Sequence, residues 1–266
     1  MRHQQANHVL VPWVLLVAAL FTPAASAATV VFVHGYLGDG NSFREPGIVA
    51  AFTRAGWRDG GNINAANVQS GRWPAAGGDM VLTVALPSEA PVRNQGQWLG
   101  AMLAGVTGAR ADDLYVVAHS AGGVVARMAL VTRTPEGFAG LVTIASPHLG
   151  TEAAETGRMI GNSPLGMLGM LPGLNKLSRS QGLYADLVRP RPGTALYWLN
   201  SQTHPAGRYI SIVRSGRQGS SDMIVPEWSQ DMNNVTTLRG LSRTIRTGGG
   251  HLLQRSDGPL LVKLLR

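Results

Sequence analysis

Short runs of apolar and β-branched residues alternate along the chain with segments whose apolar residues recur at helical spacing. The runs predict strands at residues 29–33, 80–86, 114–118, 141–145 and 209–213. The segments between them predict helices at residues 48–56, 94–106 and 124–131. Strands that are apolar on both faces and alternate with helices are typical of a parallel sheet with helices on each side. The pattern therefore predicts an α/β fold with a mostly parallel central sheet.

Two segments interrupt this alternation. Residues 60–78 are rich in glycine, asparagine and proline, which predicts a loop. Residues 151–205 are rich in glycine, leucine, methionine and proline, and we interpret them as an insertion into the domain. Such an insertion either packs as core helices or forms an apolar cap over a binding cleft. If it forms a cap, Leu168 and Leu171 are the candidates for binding an acyl chain.

The first 27 residues have the features of a secretory signal peptide. Arg2 supplies a positive charge, an apolar stretch follows at residues 9–21, and Ala25-Ser26-Ala27 forms a small-residue cleavage site. The alternative is a membrane anchor, but the apolar stretch is shorter than the roughly 20 residues that a spanning helix needs. We therefore predict cleavage after Ala27, a mature domain at residues 28–266, and a secreted or periplasmic protein.

The composition limits the classes of function to be considered. The 266 residues are 44% hydrophobic and 14% charged, which is typical of one folded domain. Cysteine is absent, which excludes thiol nucleophiles, disulfides and cysteine-ligated metals. The net charge is +8, but the basic residues are scattered and only 6% of residues are aromatic, which argues against a nucleic-acid partner. No cluster of carboxylates indicates a calcium or other metal site, and no cofactor is expected.

Ser120 lies where a predicted strand meets a predicted helix, in the sequence Ala118-His119-Ser120-Ala121-Gly122. At a tight strand-to-helix turn the neighbours of a nucleophilic serine must be small, because the two backbones nearly touch. The usual pattern is G-x-S-x-G, and here Ala118 replaces the first glycine while keeping the position small. We therefore predict that Ser120 is a nucleophile above the carboxyl end of the sheet.

A second element follows the first predicted strand, where the sequence is Val33-His34-Gly35-Tyr36. Acyl transfer through a serine needs two N–H donors for the oxyanion that develops on the substrate. We expect these donors to be the backbone N–H groups of Ala121 and Tyr36, with Gly35 allowing the close approach. His34 precedes the serine, so we interpret it as a strand-capping histidine bonded to the loop.

A nucleophilic serine on such a turn works with a histidine base and an acid that orients the histidine. Along the chain these three residues occur in the order Ser, then Asp or Glu, then His. This order leaves His148, His204 and His251 as possible bases. His251 is favoured because it follows a flexible triglycine segment. The acids between Ser120 and His251 are Glu136, Glu152, Glu155, Asp186, Asp222, Glu227 and Asp231. Asp222 is favoured because it comes just after the predicted strand at residues 209–213.

Together these residues resemble the bacterial lipases and esterases of the α/β-hydrolase fold, in the subgroup whose serine motif begins with alanine. The resemblance rests on His34-Gly35-Tyr36, the Ser120 motif, Ser146-Pro147-His148-Leu149-Gly150-Thr151, Asp222 with Val225-Pro226, and His251. It implies that His148 belongs to a structural loop near the site and is not the base. It is weakest at residues 151–205.

The resemblance implies a secreted serine hydrolase of carboxylic esters that acts on lipid-like acyl esters through an acyl-enzyme. Its partners would be a small-molecule or lipid ester and, transiently, a lipid interface. An extracellular polyester depolymerase, for example of the polyhydroxyalkanoate type, an acyltransferase or a thioesterase remains an alternative, because the serine motif does not separate them. A non-catalytic module on the same scaffold is the third alternative.

Overall fold

The structure is a computed structural model that describes residues 27–75, 77–107, 113–161, 179–215, 222 and 224–266. Within these residues, seven strands form one parallel sheet in the order β2-β3-β1-β4-β5-β6-β7. The strands are β1 (Ala28–Val33), β2 (Arg58–Ile63), β3 (Met80–Val84), β4 (Asp113–His119), β5 (Phe138–Ile144), β6 (Arg208–Ser215) and β7 (Ser242–Gly248).

Helices cover both faces of the sheet. They are α1 (Ile48–Arg54), α2 (Ala65–Ser70), α3 (Val92–Thr107), α4 (Ala121–Thr132), α5 (Glu152–Gly161), α6 (Gln181–Asp186), α7 (Ala195–Ser201), α8 (Glu227–Gln230) and α9 (Asp257–Leu265). Among the described residues, no helix is both long enough and apolar enough to cross a membrane.

The continuous apolar run of β1 is explained by burial on both sides. Val31 and Val33 join the core cluster that includes α3 and α4, whereas Val30 and Phe32 join the cluster that includes α1 and α9. Successive side chains of a strand point to opposite faces, so a strand between two helical layers must be apolar at every position. The predicted α/β architecture is thus confirmed.

The elements predicted from the sequence agree best with the structure at the centre of the sheet. The predicted strands correspond to β1, β3, β4, β5 and β6, and the predicted helices to α1, α3 and α4. The loop prediction for residues 60–78 was wrong, because β2 and α2 lie largely within that segment. Strand β7 was not predicted either. The predicted signal, apart from Ala27, and the two leucines proposed for acyl binding, Leu168 and Leu171, lie outside the described residues.

The parallel arrangement determines where a site can form. All seven strands point the same way, so their carboxyl ends share one edge of the sheet. The segments that follow β1, β4, β6 and β7 contain Tyr36, Ser120, Asp222 and His251, in that order. Ligands of parallel α/β sheets bind at this edge, and the predicted site residues therefore converge there.

Candidate active site

Ser120 forms the turn between β4 and α4 with a strained backbone. Its φ and ψ angles are 53° and −132°, in a region that residues with side chains rarely adopt. Its N–H donates to the carbonyl of Ile144 at 2.8 Å. A Cβ atom at Gly122 would lie 2.3 Å from the carbonyl oxygen of His34, so only glycine fits there. These features are those of a nucleophile elbow.

Ser120, His251 and Asp222 form one hydrogen-bonded chain. The Oγ atom of Ser120 lies 2.8 Å from Nε2 of His251, and Nδ1 of His251 lies 2.8 Å from Oδ2 of Asp222. With Asp222 ionised, Nδ1 of the imidazole carries the proton and Nε2 is free to accept one from the serine. His251 lies in the loop between β7 and α9, and α9 begins at Asp257.

Asp222 is buried and receives further hydrogen bonds. Its Oδ1 atom accepts the N–H groups of Ile224, at 2.9 Å, and Val225. Its Oδ2 atom accepts from Nε2 of Gln230 at 3.1 Å, in addition to the histidine. Sequence reasoning missed Gln230, because nothing local distinguishes a glutamine that will be buried beside a carboxylate from one on the surface.

Gly35 and Tyr36 lie directly beside the serine. A Cβ atom at Gly35 would be 2.8 Å from Cβ of Ser120, which shows how closely this loop approaches the turn. Tyr36 and Ala121 both border the cavity that contains Ser120. Ala121 is the first residue of α4, where backbone N–H groups have no acceptor within the helix. The two residues predicted to supply the oxyanion donors therefore border the same cavity as the serine.

The side chain of Tyr36 connects this loop to the insertion. Its hydroxyl oxygen accepts from the hydroxyl of Tyr184 at 2.9 Å and from Oγ of Ser180 at 3.1 Å. Ser180 is buried just before α6, and the rings of Tyr36 and Tyr184 meet edge to face at 5.5 Å between centroids. The loop after β1 is thus attached to α6, a contact that sequence reasoning did not predict.

Two further histidines stabilise the surroundings of the serine. Nδ1 of His34 donates to the carbonyl of Gly35 at 3.0 Å, while Nε2 accepts from the N–H of Leu86 at 3.0 Å, joining the ends of β1 and β3. Nε2 of His119 donates to the carbonyl of His251 at 2.8 Å. Burial lowers the pKa of His34, and it lowers the pKa of His119 to about 4. Both are therefore neutral near pH 7, and His119 holds the backbone of His251.

The other candidate bases lie in a different hydrogen-bonded cluster. In the described structure, Nε2 of His148 contacts Oγ1 of Thr143 at 3.1 Å, and Nε2 of His204 accepts from Nε of Arg127 at 3.0 Å. Burial lowers the pKa of His148 well below its usual range, and burial together with the charge of Arg127 lowers the pKa of His204 to about 3. These side chains stabilise the loop after β5 and the helix α4.

Two of the alternative acids have structural contacts elsewhere. Asp186 accepts the N–H of Val92 at the start of α3 at 2.8 Å. Asp231 accepts the N–H of Asn233 at 2.9 Å and the hydroxyl of Thr244 at 2.8 Å. Burial raises the pKa of Asp186. Among the acids considered in the described structure, the one hydrogen-bonded to His251 is Asp222.

The serine opens into a cavity of about 400 Å³. Ser120 and His251 lie on its wall, and apolar side chains form much of the rest: Ala153, Ala154, Leu183, Leu187 and Val225. Four of these residues belong to the predicted insertion, at α5, α6 and the residue that follows α6. Exposed Leu252 and Ile224 also border it. The insertion therefore supplies an apolar wall beside the serine.

No metal-binding group is found in the part of the chain that the structure describes. Within those residues, no three histidine, aspartate or glutamate side chains lie close enough together to hold a metal ion.

Comparison with known sequences gives one family. The family described as "Putative serine esterase (DUF676)" matches residues 85–201, which include β4, the Ser120 turn and most of the described part of the insertion. No curated protein sequence matches the chain.

Comparison with solved structures gives proteins of similar fold, among them a lipase and an esterase. The mature lipase BlEst2 of Bacillus licheniformis has a TM-score of 0.59 at 16% identity, covering 91% of this chain and 94% of that chain. The product of gene lin2722 from Listeria innocua has a TM-score of 0.54 at 12% identity, covering 85% and 87%. A metagenomic carboxyl esterase, MGS0156, has a TM-score of 0.52 at 15% identity, covering 86% and 65%. The fold shared with lipases and esterases of the α/β-hydrolase type is confirmed, whereas the subgroup whose serine motif begins with alanine stays a prediction.

Proposed function

We propose that this chain, which has the α/β-hydrolase fold of lipases and esterases, is a serine hydrolase of carboxylic esters. The observation that carries the proposal is the chain of two 2.8 Å contacts from Ser120 through His251 to Asp222, on a strained turn that faces an apolar cavity. The match of residues 85–201 to a serine esterase family supports the same reaction class.

Each of the three hydrogen-bonded side chains, Ser120, His251 and Asp222, has a role in ester hydrolysis. As Oγ of Ser120 attacks the ester carbonyl carbon, its proton passes to Nε2 of His251, and Asp222 stabilises the imidazolium. The negative charge that forms on the carbonyl oxygen is bound by the N–H groups of Tyr36 and Ala121. His251 then donates its proton to the leaving alcohol, which gives an acyl-Ser120 ester. His251 then takes a proton from a water molecule as the water attacks this ester, and it returns that proton to Oγ of Ser120 as the acid is released.

The cavity supports lipid-like acyl esters as the substrate class. Alanine, valine, leucine and isoleucine side chains form much of its wall, and such side chains bind an acyl chain without hydrogen bonds. Burying a methylene group is worth about 0.8 kcal/mol, so the specificity constant should rise with chain length until the cavity is filled. Exposed Leu252 and Ile224 at the same cavity would contact a lipid interface.

The test compares the purified protein with a Ser120→Ala variant on p-nitrophenyl esters of increasing chain length. Loss of a triad serine costs about 10⁴-fold or more in kcat, so turnover should disappear. Ser201→Ala is the matched control, because Ser201 is an exposed serine at the end of α7 and should leave activity unchanged. A phosphonate ester should label Ser120. Full activity in the Ser120→Ala variant would contradict the proposal. A polyester film is assayed in parallel, and a preference for the film over the p-nitrophenyl esters would make a polyester the substrate class.

We also propose that residues 1–27 direct export. The basis is the charged, apolar and small-residue order of this segment. Expression of the full chain in a bacterium, followed by mass spectrometry of the periplasm and medium, should give a protein that begins at Ala28. An uncleaved chain retained in the cell would contradict this.

A further inference from the structure

Gln230 is buried at the end of α8, behind the carboxylate of Asp222. We propose that Gln230 is a positioning residue that sets how strongly Asp222 stabilises protonated His251. This inference rests on the proposed function, because it assigns the glutamine a role in the same hydrogen-bonded chain.

The amide of Gln230 has a defined orientation. Its Oε1 atom accepts the N–H of Arg214 at 2.7 Å, and its Nε2 atom donates to the carbonyl of Val225 at 2.8 Å and to Oδ2 of Asp222 at 3.1 Å. A flipped amide would place its oxygen against a carbonyl and a carboxylate, which are both acceptors. The backbone N–H of Arg214 and the backbone carbonyl of Val225 therefore fix the amide so that its Nε2 donates to Asp222.

A buried ion pair between Arg214 and Asp257 lies next to Gln230. The guanidinium of Arg214, at the end of β6, pairs with both carboxylate oxygens of Asp257 at 2.7 and 2.6 Å. Both side chains are almost fully excluded from solvent, and Nη1 of Arg214 also donates to Oγ1 of Thr247 at 2.8 Å. Gln230 thus connects the loop that contains Asp222 to an ion pair that fixes β6, β7 and α9 together.

One oxygen of Asp222 accepts hydrogen bonds from two donors. Oδ2 accepts from Nδ1 of His251 at 2.8 Å and from Nε2 of Gln230 at 3.1 Å. A second donor draws negative charge away from the oxygen that faces the imidazole. Without Gln230, that oxygen would stabilise the imidazolium more strongly, and His251 would become protonated at a higher pH. The carboxylate would also lose a contact that fixes its plane.

Several titratable groups lie near this pair in the described structure. His119 bonds to the backbone of His251, Arg214 and Asp257 lie behind Gln230, and Tyr36 and Tyr184 border the same cavity as His251. Burial lowers the pKa of His119 to about 4, so it remains neutral across the range in which the base would act. Arg214 and Asp257 form the ion pair described above. A change in the acidic limb of the pH profile would therefore report on the Asp222 and His251 pair.

The experiment uses Gln230→Met, which keeps the length of the side chain and removes the amide. We expect the acidic limb of the pH profile of kcat/KM to move to higher pH by about 0.5 pH unit or more. At the optimum, kcat should fall roughly tenfold while KM changes less than about twofold. Gln95→Met is the matched control, because Gln95 is a buried glutamine on α3 whose amide donates to the carbonyl of Ala90 at 2.6 Å, away from the site.

A second variant and a second measurement make the test independent of folding and of ester turnover. Gln230→Leu removes the same amide with a differently shaped side chain, so the upward shift should be of similar size. An NMR titration of the His251 ring in the intact protein should show midpoints in both variants that lie above that of the wild type.

Two outcomes would overturn the inference. One is a Gln230→Met variant whose pH limb and His251 titration match those of the wild type. The other is a loss of activity that is accompanied by the same fall in melting temperature as in Gln95→Met, with no shift in pH dependence. If the wild type hydrolyses no ester but the NMR midpoints shift, the proposed function fails while the positioning role stands.

Discussion

The backbone of Ser120 is strained, and its immediate neighbours hold it in place. A conformation with a φ of 53° and a ψ of −132° persists because β4, α4 and the loop after β1 meet at this residue. The closest of these contacts involves Gly122, where a Cβ atom would come within 2.3 Å of the carbonyl oxygen of His34 and 2.9 Å of that of Val33. Both of these atoms belong to the backbone of β1 and its following residue, so they cannot move aside without moving the sheet.

Gly122→Ala should therefore displace α4 from β1 and move Ser120 away from His251. We expect kcat to fall at least about tenfold, with a lower melting temperature, because a backbone overlap of this size costs several kcal/mol. Gly100→Ala is the matched control. It is a buried helical glycine with open space around its Cβ position, and the change should raise stability by up to about 1 kcal/mol. Equal behaviour of the two variants in thermal unfolding and ester hydrolysis would contradict this explanation.

At the residue scale, chemistry that has a fixed order along the chain could be predicted from the sequence. A serine between small residues, a carboxylate after a strand and a later histidine led to Ser120, Asp222 and His251, which the structure brings into contact. Gln230 and His119 could not be found in this way. Their roles depend on which buried acceptors face them, and this is determined only when distant loops are packed together.

At the scale of elements, the contact between α6 and the loop after β1 makes the insertion part of the site. The hydroxyl of Tyr184 donates to that of Tyr36, whose backbone is the proposed oxyanion donor. Helix α6 is itself anchored on α3, because Asp186 accepts the N–H of Val92. A displacement of α6 would therefore move Tyr36 relative to Ser120.

Tyr184→Phe removes this donor and keeps the ring. Loss of a hydrogen bond worth about 1 kcal/mol should lower kcat about fivefold, with a smaller effect on KM. Tyr197→Phe, at a half-exposed position on α7, should leave both constants unchanged. Steady-state kinetics on a short and a long ester would measure the effect. An unchanged kcat in the Tyr184→Phe variant would show that the loop after β1 holds its position without α6.

The strands that sequence reasoning missed are the two at the edges of the sheet. Among the described strands, β2 pairs with β3 alone, and it contains Gly60 and Gly61, residues that are typical of turns. Within the same set, β7 pairs with β6 alone and has partly exposed side chains along its length. An edge strand is stabilised by hydrogen bonds to its neighbour and needs no apolar run, so its sequence gives a weak signal. The central strands were predictable because both faces are buried.

At the scale of the whole molecule, the fold keeps several histidines neutral. Burial lowers the pKa of His119 to about 4 and, with the charge of Arg127, that of His204 to about 3, while burial lowers the pKa of His148 well below its usual range. In the unfolded chain each of these side chains would titrate near 6.5. Below that pH the unfolded chain binds protons that the folded protein excludes.

The free energy of unfolding should therefore be highest above about pH 6.5 and should decrease as the pH falls from 6.5 towards 4. Urea unfolding at pH 8, 6, 5 and 4, followed by circular dichroism, measures this dependence. His204→Gln removes one of the contributing groups and should make the decrease shallower. A free energy of unfolding that is constant between pH 7 and 4.5 would contradict the assignment of these histidines as neutral.

The placement of the site residues also predicts the order of events in refolding. The loops after β1, β4, β6 and β7 all contribute to the site, and the contact between Ser120 and His251 joins residues 131 positions apart. Contacts between distant parts of a chain form slowly, because closing a long loop costs conformational entropy. After dilution from urea, ester hydrolysis should thus recover in the slowest phase, later than the helical circular dichroism signal. Activity that recovers together with the first helical signal in stopped-flow and timed-sampling experiments would show that the sheet edge assembles early.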